Sequence, residues 1–441
     1  MPKKLLPIIA VLCHILSMIS CASKPKTETP VADTRIQDER TFPQDLMFYA
    51  KKIGPNKELL TASEQNKQEE RFRNRFFGPW FMTRCGISKK EACLQRTRGY
   101  KLGGERWPQF EWNKMVQNCN MDSFPSRHDL GITLRQTDLR EMPTHKPRYD
   151  KPITNAHSYP FDDFQYSQLS IGTPIFIAHT SADGRWVYAE CALAGGWIDA
   201  NDVAVTDQAF RNQWLNAPLC AITQEKVHLG NYPLIASIGT TLPLLSENQS
   251  TLTVALPMLG NNGLARSVSV QLPKSAAQRH PLPLTPHNVA KLGNKILKQP
   301  YGWGGMYGLR DCSAMTHDLL APFGIWLPRN SRAQAKTGAV VSLSGLSMAE
   351  KEKCIQSRGT PFLSLVGLPG HITMYVGKHK DRCAILHNTW GVRTIEGNNN
   401  NARHVIGRTV ITSITPGLEL PNLYRKKTFV DHIHALATPG K

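Results

Sequence analysis

The sequence lacks the patterns that usually indicate a nucleic-acid partner or a metal centre. It has no run of five or more basic residues and no zinc-finger spacing, so its formal charge of +19 comes from scattered lysines and arginines. Scattered charge of this size favours an anionic partner, such as a membrane surface or a cell-wall polymer, over nucleic acid. No C-x-x-C pair and no histidine-rich cluster occurs either. We therefore expect neither a metal ion nor another cofactor.

The N-terminal apolar stretch is too short to span a membrane comfortably. Residues 5–19 follow two lysines and are typical of a secretory signal. The stretch ends in "MISC", which resembles a bacterial lipobox, so residues 1–21 are predicted to be a lipoprotein signal peptide with the lipid on Cys21. The alternative is a plain signal peptide that is cleaved nearby. Ala22 resembles a residue for outer-membrane sorting, and we expect an exported, periplasmic protein that is lipid-anchored to the outer membrane.

The sequence contains ten cysteines. An exported protein can form disulfides, and Cys85, Cys93 and Cys119 are the candidates. Their connectivity cannot be deduced from the sequence.

Changes of pattern along the chain predict a multidomain protein. Residues 22–40 are polar without apolar periodicity, and they predict a flexible tether. The body that follows reads first as helical, then as short strands with tight turns, and last as a helix followed by antiparallel strands, which is an α+β pattern. The predicted domains are a helical N-terminal region (41–128), two small β-barrels that resemble bacterial SH3 domains (129–208 and 218–275), and a C-terminal α+β domain (285–430).

The first barrel carries hairpin signals and a candidate core. Asp183-Gly184 and Gly195-Gly196 predict its turns. Trp186 and Trp197 are expected in the barrel core and not on a ligand-binding surface.

Cys312 is the candidate for chemistry, because it opens an apolar helix after a glycine-rich turn in "YGWGGMYGLRDCSAM". A helix N-terminus lowers the pKa of a thiol, and its amides can hold an oxyanion. The alternative is a small buried residue at a helix start. His371 in "GHITMYVG" is the candidate base, and His387 on the next strand would orient it, since a tight turn makes these strands neighbours. Asn388 is an alternative for the orienting role.

Five short signatures together carry a family resemblance: "PYGWGG", "RDCSAM", "FGIWLPRNSRAQ", "GHITMYVG" and "ILHNTWG". In this order they resemble the NlpC/p60 family of papain-like cell-wall cysteine peptidases, over roughly residues 285–415. Upstream, "RFFGPWF" and "TDLREMPTHKP" resemble the subgroup with an N-terminal stabilising region and two SH3-like domains. The residue after Cys-Ser, usually Gly in the family, is Ala314 here.

The resemblance implies a function and a set of roles. It implies cleavage of the γ-D-glutamyl–meso-diaminopimelate bond in peptidoglycan stem peptides or muropeptides, by a protein that we expect to be monomeric and to bind no nucleic acid. Cys312 would be the nucleophile, His371 the general base and acid, and His387 the orienting residue.

The resemblance also implies a set of substrate-binding residues. Asp311 and Ser313 would bind the free amine of a terminal L-Ala. The others are Tyr301 beside the cysteine, Arg329 and Ser331 in the cleft, and Glu190 from the SH3-like domain. Asp311 has an alternative role as a helix cap.

Two other classes of function remain open. In one, the protein is a non-catalytic wall-binding lipoprotein that uses its SH3-like domains. In the other, it is an acyl transferase or amidase on the same fold, which only the reaction product would reveal.

Overall fold

The structure is a computed structural model that describes residues 34–94, 96–152 and 160–441, without the side chains of residues 399–401. The predicted signal peptide, Cys21 and most of the predicted tether lie outside the described residues. Within the described residues, no helix is long and apolar enough to cross a membrane.

The N-terminal region is helical, as predicted. Its helices are α1 (Gln37–Thr41), α2 (Leu46–Ile53), α3 (Ala62–Phe76), α4 (Lys89–Ala92) and α5 (Gln109–Asn118). Thr61 and Glu64 form a capping box that starts α3, and Pro79 follows its end. The tether prediction through residue 40 is wrong at its end: Ile36 is buried, and Glu39 of α1 pairs with Arg408.

The first barrel is a seven-stranded antiparallel sheet in the order β3-β2-β6-β5-β4-β1-β7. Its strands are β1 (Asp129–Thr133), β2 (Thr137–Arg140), β3 (Gln165–Leu169), β4 (Pro174–Thr180), β5 (Trp186–Glu190), β6 (Gly195–Asp199) and β7 (Val203–Val205). Trp186 and Trp197 are buried in its core. Asp183-Gly184 forms the predicted turn, with Gly184 at a φ of +69°.

The second predicted turn is wrong. Gly195 and Gly196 lie inside β6, and the chain turns just before them, where the Cys191 N–H bonds to the Ala194 carbonyl. Gly196 is required there because a Cβ would lie 2.8 Å from the carbonyl oxygen of Arg140 on the neighbouring strand.

Helix α6 (Gln208–Asn216) leads into the second barrel. This barrel has a five-stranded sheet in the order β13-β12-β11-β8-β14 and a separate two-stranded ribbon. Its strands are β8 (Leu219–Ile222), β9 (Val227–His228), β10 (Ile235–Ala236), β11 (Thr241–Glu247), β12 (Thr251–Leu259), β13 (Ala265–Pro273) and β14 (Ala277–Arg279).

The C-terminal domain packs helices on a six-stranded antiparallel sheet in the order β15-β20-β16-β17-β18-β19. Its elements are α7 (Pro286–Ile296), α8 (Cys312–Leu320), α9 (Ser331–Gln334), β15 (Ala339–Ser342), α10 (Met348–Arg358), β16 (Leu365–Leu368), β17 (His371–His379), β18 (Arg382–Glu396), β19 (Asn399–Thr412) and β20 (Ala435–Thr438). Because β20 pairs with both β15 and β16, the predicted boundary at residue 430 is too early.

One hydrophobic core joins the N-terminal region to this last domain. Leu46 and Tyr49 of α2 are buried with Ile296 of α7 and Leu319 of α8 in one cluster. Gly293 of α7 permits the approach, because a Cβ there would collide with Leu46. The N-terminal helices thus brace the sheet that carries the site.

The candidate disulfides are not formed. Cys85, Cys93 and Cys119 are all free thiols, and the side chains of Cys93 and Cys119 lie close to each other.

Candidate active site

Cys312 is the first residue of α8, as the sequence predicts. The carboxylate of Asp311 accepts the Ala314 N–H at 2.9 Å and caps the helix. The turn before it contains Gly304 and Gly305 at positive φ, and a Cβ at either would collide with β3 of the first barrel, at Gln165 and Gln168. The glycine-rich turn therefore serves a close contact between domains.

The helix start places the Cys312 thiol beside the first residues of β17. The thiol contacts the backbone N–H of Ile372, the neighbour of His371. The Cys312 N–H itself has no acceptor in the part of the chain that the structure describes. It is therefore available to an oxyanion that forms next to the sulfur.

A chain of hydrogen bonds fixes the tautomers of the two histidines. The Thr412 hydroxyl donates to the Ser413 carbonyl at 2.8 Å, so it accepts the Nε2–H of His387 at 3.1 Å. His387 Nδ1 is then an acceptor, and it takes the Nε2–H of His371 at 2.9 Å. This leaves Nδ1 of His371 with a lone pair, which can accept a proton.

Burial keeps both partners of the proposed pair neutral. Burial, and then the Asp311 carboxylate, raise the pKa of the Cys312 thiol to about 12. Burial lowers the pKa of His371 to about 4, against a smaller opposing effect of Asp311. Burial and the neighbouring His371 lower the pKa of His387 well below its ordinary value. The helix start therefore does not make Cys312 a thiolate at rest, and a base must take its proton during attack.

Asp311, Ser313 and Arg329 form one buried cluster. Arg329 donates to both carboxylate oxygens of Asp311 at 2.8 Å, and it also donates to the Ser313 hydroxyl. The Gly304 N–H and the Ser313 hydroxyl donate to the same carboxylate at 3.1 Å. Although burial opposes ionisation, Arg329 and these donors lower the pKa of Asp311. Asp311 is thus a helix cap and the ion-pair partner of Arg329, and both of its carboxylate oxygens accept hydrogen bonds within the protein.

Aromatic rings from two domains line the region next to Cys312. Tyr301 lies 6.0 Å from Trp390 on β18 and 6.4 Å from Phe161 of the first barrel, between ring centres. Phe161 also lies 5.2 Å from Trp303, whose Nε1–H donates to the Asp162 carbonyl. Burial, then Asp311 and Cys312, raise the pKa of Tyr301 well above its ordinary value. Its hydroxyl therefore keeps its proton at neutral pH.

The structure does not bring two predicted residues into this cluster. Glu190 accepts the Gly86 N–H at 2.7 Å and contacts Cys85, both in the N-terminal region. Ser331 is half-buried at the start of α9, and its side chain makes no hydrogen-bond contact with α8 among the described residues. The neighbouring Gln334 makes that contact instead, because its amide donates to the Ser313 carbonyl at 2.9 Å.

Sequence reasoning missed residues that support the site from a distance. Arg310 is buried and pairs with Asp318 and, at 3.0 Å, with Glu225 of the second barrel. Asn388, the predicted alternative for the orienting role, donates to the Arg310 carbonyl, so it holds the turn before Cys312 and does not orient His371. Thr412 carries no local sequence signal, whereas Gln334 lies in the quoted "RNSRAQ" segment.

The described residues contain no group of three or more His, Cys, Asp or Glu side chains placed to hold a metal ion.

Comparisons with known families match three parts of the chain. Residues 10–124 match the N-terminal stabilising domain of NLPC_P60 proteins, residues 147–199 match an SH3 domain of the SH3b1 type, and residues 298–405 match the NlpC/P60 family.

Two curated proteins are similar over part of the chain. A γ-D-glutamyl-L-lysine dipeptidyl-peptidase of Bacillus cereus is 26% identical over 214 residues, which are 46% of this chain and 58% of that protein. A probable endopeptidase of Corynebacterium glutamicum is 29% identical over 117 residues, which are 26% of this chain and 55% of that protein. The chain thus matches little more than half the length of either relative.

A solved structure shares the fold. It is an NlpC/P60 endopeptidase from Photobacterium damselae subsp. piscicida, with a TM-score of 0.80 and 24% sequence identity, and the match covers 91% of this chain and 97% of that one.

Proposed function

The chain belongs to the NlpC/P60 family of peptidases, and we propose that it is a cysteine endopeptidase that cleaves the γ-D-glutamyl–meso-diaminopimelate bond of peptidoglycan stem peptides. The hydrogen-bond chain from Thr412 through His387 to His371 carries this proposal, since it leaves a proton acceptor on His371 beside Cys312. The similarity to a γ-D-glutamyl-L-lysine dipeptidyl-peptidase supports the γ-D-glutamyl side of this bond and not the identity of the residue that leaves.

The reaction follows from the neutral resting pair. Nδ1 of His371 takes the thiol proton as the sulfur of Cys312 attacks the γ-glutamyl carbonyl. The Cys312 N–H and the Tyr301 hydroxyl donate to the oxyanion. The protonated His371 then gives its proton to the leaving amine, and a thioester remains on Cys312. Water attacks the thioester while His371 takes one of its protons, and the bond from the carbonyl carbon to the sulfur breaks to release the carboxylic acid. His371 then returns that proton to the sulfur of Cys312, which restores the neutral pair.

A preference for stems with a free N-terminal L-Ala is the finer part of the proposal. The negative charge of Asp311 at the start of α8 supports it, because an anion in a buried site attracts an ammonium group. Arg329 already occupies both oxygens of this carboxylate. The substrate ammonium would therefore have to join Arg329 and not replace it.

The proposed location is the periplasmic face of the outer membrane, with a lipid on Cys21. The lipobox-like "MISC" supports it. Metabolic labelling with a radioactive fatty acid tests it: the wild-type protein should carry label that Cys21→Ala loses. Equal labelling of both proteins would contradict the anchor.

One incubation tests the activity. The purified protein is given L-Ala-γ-D-Glu-meso-diaminopimelate and, separately, the same stem attached to its disaccharide, with products read by mass spectrometry. Cys312→Ala is the inactive variant, and Cys354→Ala, in α10, is the matched control. Release of L-Ala-D-Glu from the first substrate alone supports the whole proposal, and cleavage of both substrates removes only the amine preference.

Two outcomes would favour the other functions. No Cys312-dependent product from either substrate would refute the peptidase and favour a wall-binding protein. A Cys312-dependent product formed by transfer or deamidation would favour the acyl transferase or amidase.

A further inference from the structure

The segment 424–432, called here the basic loop, packs on both catalytic histidines. Its Phe429 ring lies 5.8 Å from the ring of His371 and 5.7 Å from that of His387, both in edge-to-face geometry. The loop leads to β20, whose pairing with β16 fixes its far end. In the proposed reaction the leaving amine takes its proton from His371. The basic loop therefore borders the leaving-group side of the site.

The basic loop adjoins the outer ends of β18 and β19. Lys427 of the loop, Arg393 of β18 and Arg403 of β19 form a patch of positive charge there. Arg393 and Arg403 face each other as a cross-strand pair. The Arg393 guanidinium stacks on Tyr424 of the loop, 3.8 Å above the ring centre, and the Tyr424 N–H bonds to the Arg393 carbonyl. Burial, and then the positive charges of Lys427 in the same loop and of Arg393, lower the pKa of His432, so both cations act on this ring.

Two cations of this patch, Arg403 and Lys427, carry the argument. Arg403 and Lys427 are exposed, and neither has an acidic ion-pair partner among the residues that the structure describes. The acid of the loop, Asp431, accepts hydrogen bonds from the N–H and hydroxyl of Thr428. Arg393 and Arg403 face each other across two strands, and like charges in that position destabilise a sheet. An anion bound between them would relieve that repulsion.

We propose that Arg403 and Lys427 bind the side-chain carboxylate of the residue that leaves as the amine. This inference rests on the proposed function and deepens it, because meso-diaminopimelate carries a carboxylate at the end of its side chain where lysine carries none. Arg393 adds positive charge to the patch, but its guanidinium is held on the Tyr424 ring and does not bind the carboxylate directly. The patch thus selects an acidic diamino acid on the far side of the cleaved bond.

The test compares two substrates that differ by one charge. They are L-Ala-γ-D-Glu-meso-diaminopimelate with its side-chain carboxylate free, and the same tripeptide with that carboxylate amidated. The protein is used as wild type, as Arg403→Gln/Lys427→Gln, and as Lys90→Gln, which removes one exposed charge in the N-terminal region. The measured quantity is the ratio of kcat/KM for the acid to that for the amide.

We expect the wild type and Lys90→Gln to prefer the acid by about tenfold. This ratio corresponds to the combined interaction energies of two exposed ion pairs. In the double variant the ratio should fall to within about twofold, through loss on the acid substrate alone. An unchanged ratio in the double variant, or an equal loss on both substrates, would overturn the inference.

A binding measurement separates this inference from the proposed reaction. Calorimetry with the Cys312→Ala protein gives the Kd of each tripeptide without cleavage. Tighter binding of the acid form that disappears on adding Arg403→Gln/Lys427→Gln supports the patch even if the wild type cleaves neither tripeptide. Equal Kd values for the two tripeptides in Cys312→Ala would overturn the inference while leaving the peptidase standing.

Discussion

Replacing Arg329 with Met should destabilise the start of α8, because it leaves the buried Asp311 carboxylate without its ion-pair partner. The two side chains are 7% and 9% exposed and share two hydrogen bonds of 2.8 Å. Removing one member of a buried pair typically costs about 3–5 kcal/mol. Asp311 keeps the N–H donors of Ala314 and Gly304, so we expect the lower end, about 3 kcal/mol.

A double-mutant cycle isolates the pair. Asp311→Asn keeps an oxygen for the helix cap but leaves the Arg329 guanidinium buried without a charge partner, and it should cost a similar amount. The double variant removes both charges, so its cost should be smaller than the sum of the two single costs by about 2–3 kcal/mol.

Hydrogen exchange of the α8 amides gives the local free energies, which avoids treating a multidomain chain as two-state. Arg332→Met, at an exposed position on α9, is the matched control and should leave exchange unchanged. Costs that add to within about 0.5 kcal/mol would refute the coupling and hence the buried ion pair. The same Asp311→Asn protein tests the amine preference: a higher KM for the free-amine stem alone would support it, and an equal effect on both stems would contradict it.

Three further predictions follow from the site and its supports. Burial lowers the pKa of His371 to about 4, so its neutral form, which can accept the thiol proton, persists as pH falls. In a pH–rate profile, kcat/KM should therefore decline only as pH approaches about 4. A decline centred at or above about pH 6.5 would contradict this. Thr412→Val removes the acceptor that fixes the tautomer of His387 and should lower kcat by about 10–100-fold with KM unchanged; steady-state kinetics that show a change in KM alone would refute the orienting chain. Arg310→Met leaves Glu225 and Asp318 without their partner and should destabilise the junction with the second barrel by roughly 3–5 kcal/mol; limited proteolysis should become faster around residues 223–240, and a rate equal to the wild type would contradict it.

The sequence by itself determined the features that depend on neighbours in the chain. The glycine-rich turn, the Asp cap and the apolar periodicity placed Cys312 at the first residue of a helix. The tight turn at Lys380-Asp381, where both residues have positive φ, made the strands of His371 and His387 neighbours, and the two rings meet as expected. A turn or a helix start is a local property, because its hydrogen bonds join residues a few positions apart.

Tertiary structure alone decided which distant groups meet. Thr412, which fixes the tautomer of His387, comes from β19, and Phe161 reaches Tyr301 from another domain. Glu190 has the negative charge that the resemblance predicts for the amine pocket, but β5 places it next to the N–H of Gly86. The ordering of Ile36 and the strand β20 likewise depends on a partner far along the chain. Side-chain type and local sequence pattern indicate which chemical role a residue can take. The path of the backbone decides which other residues lie close enough for it to contact.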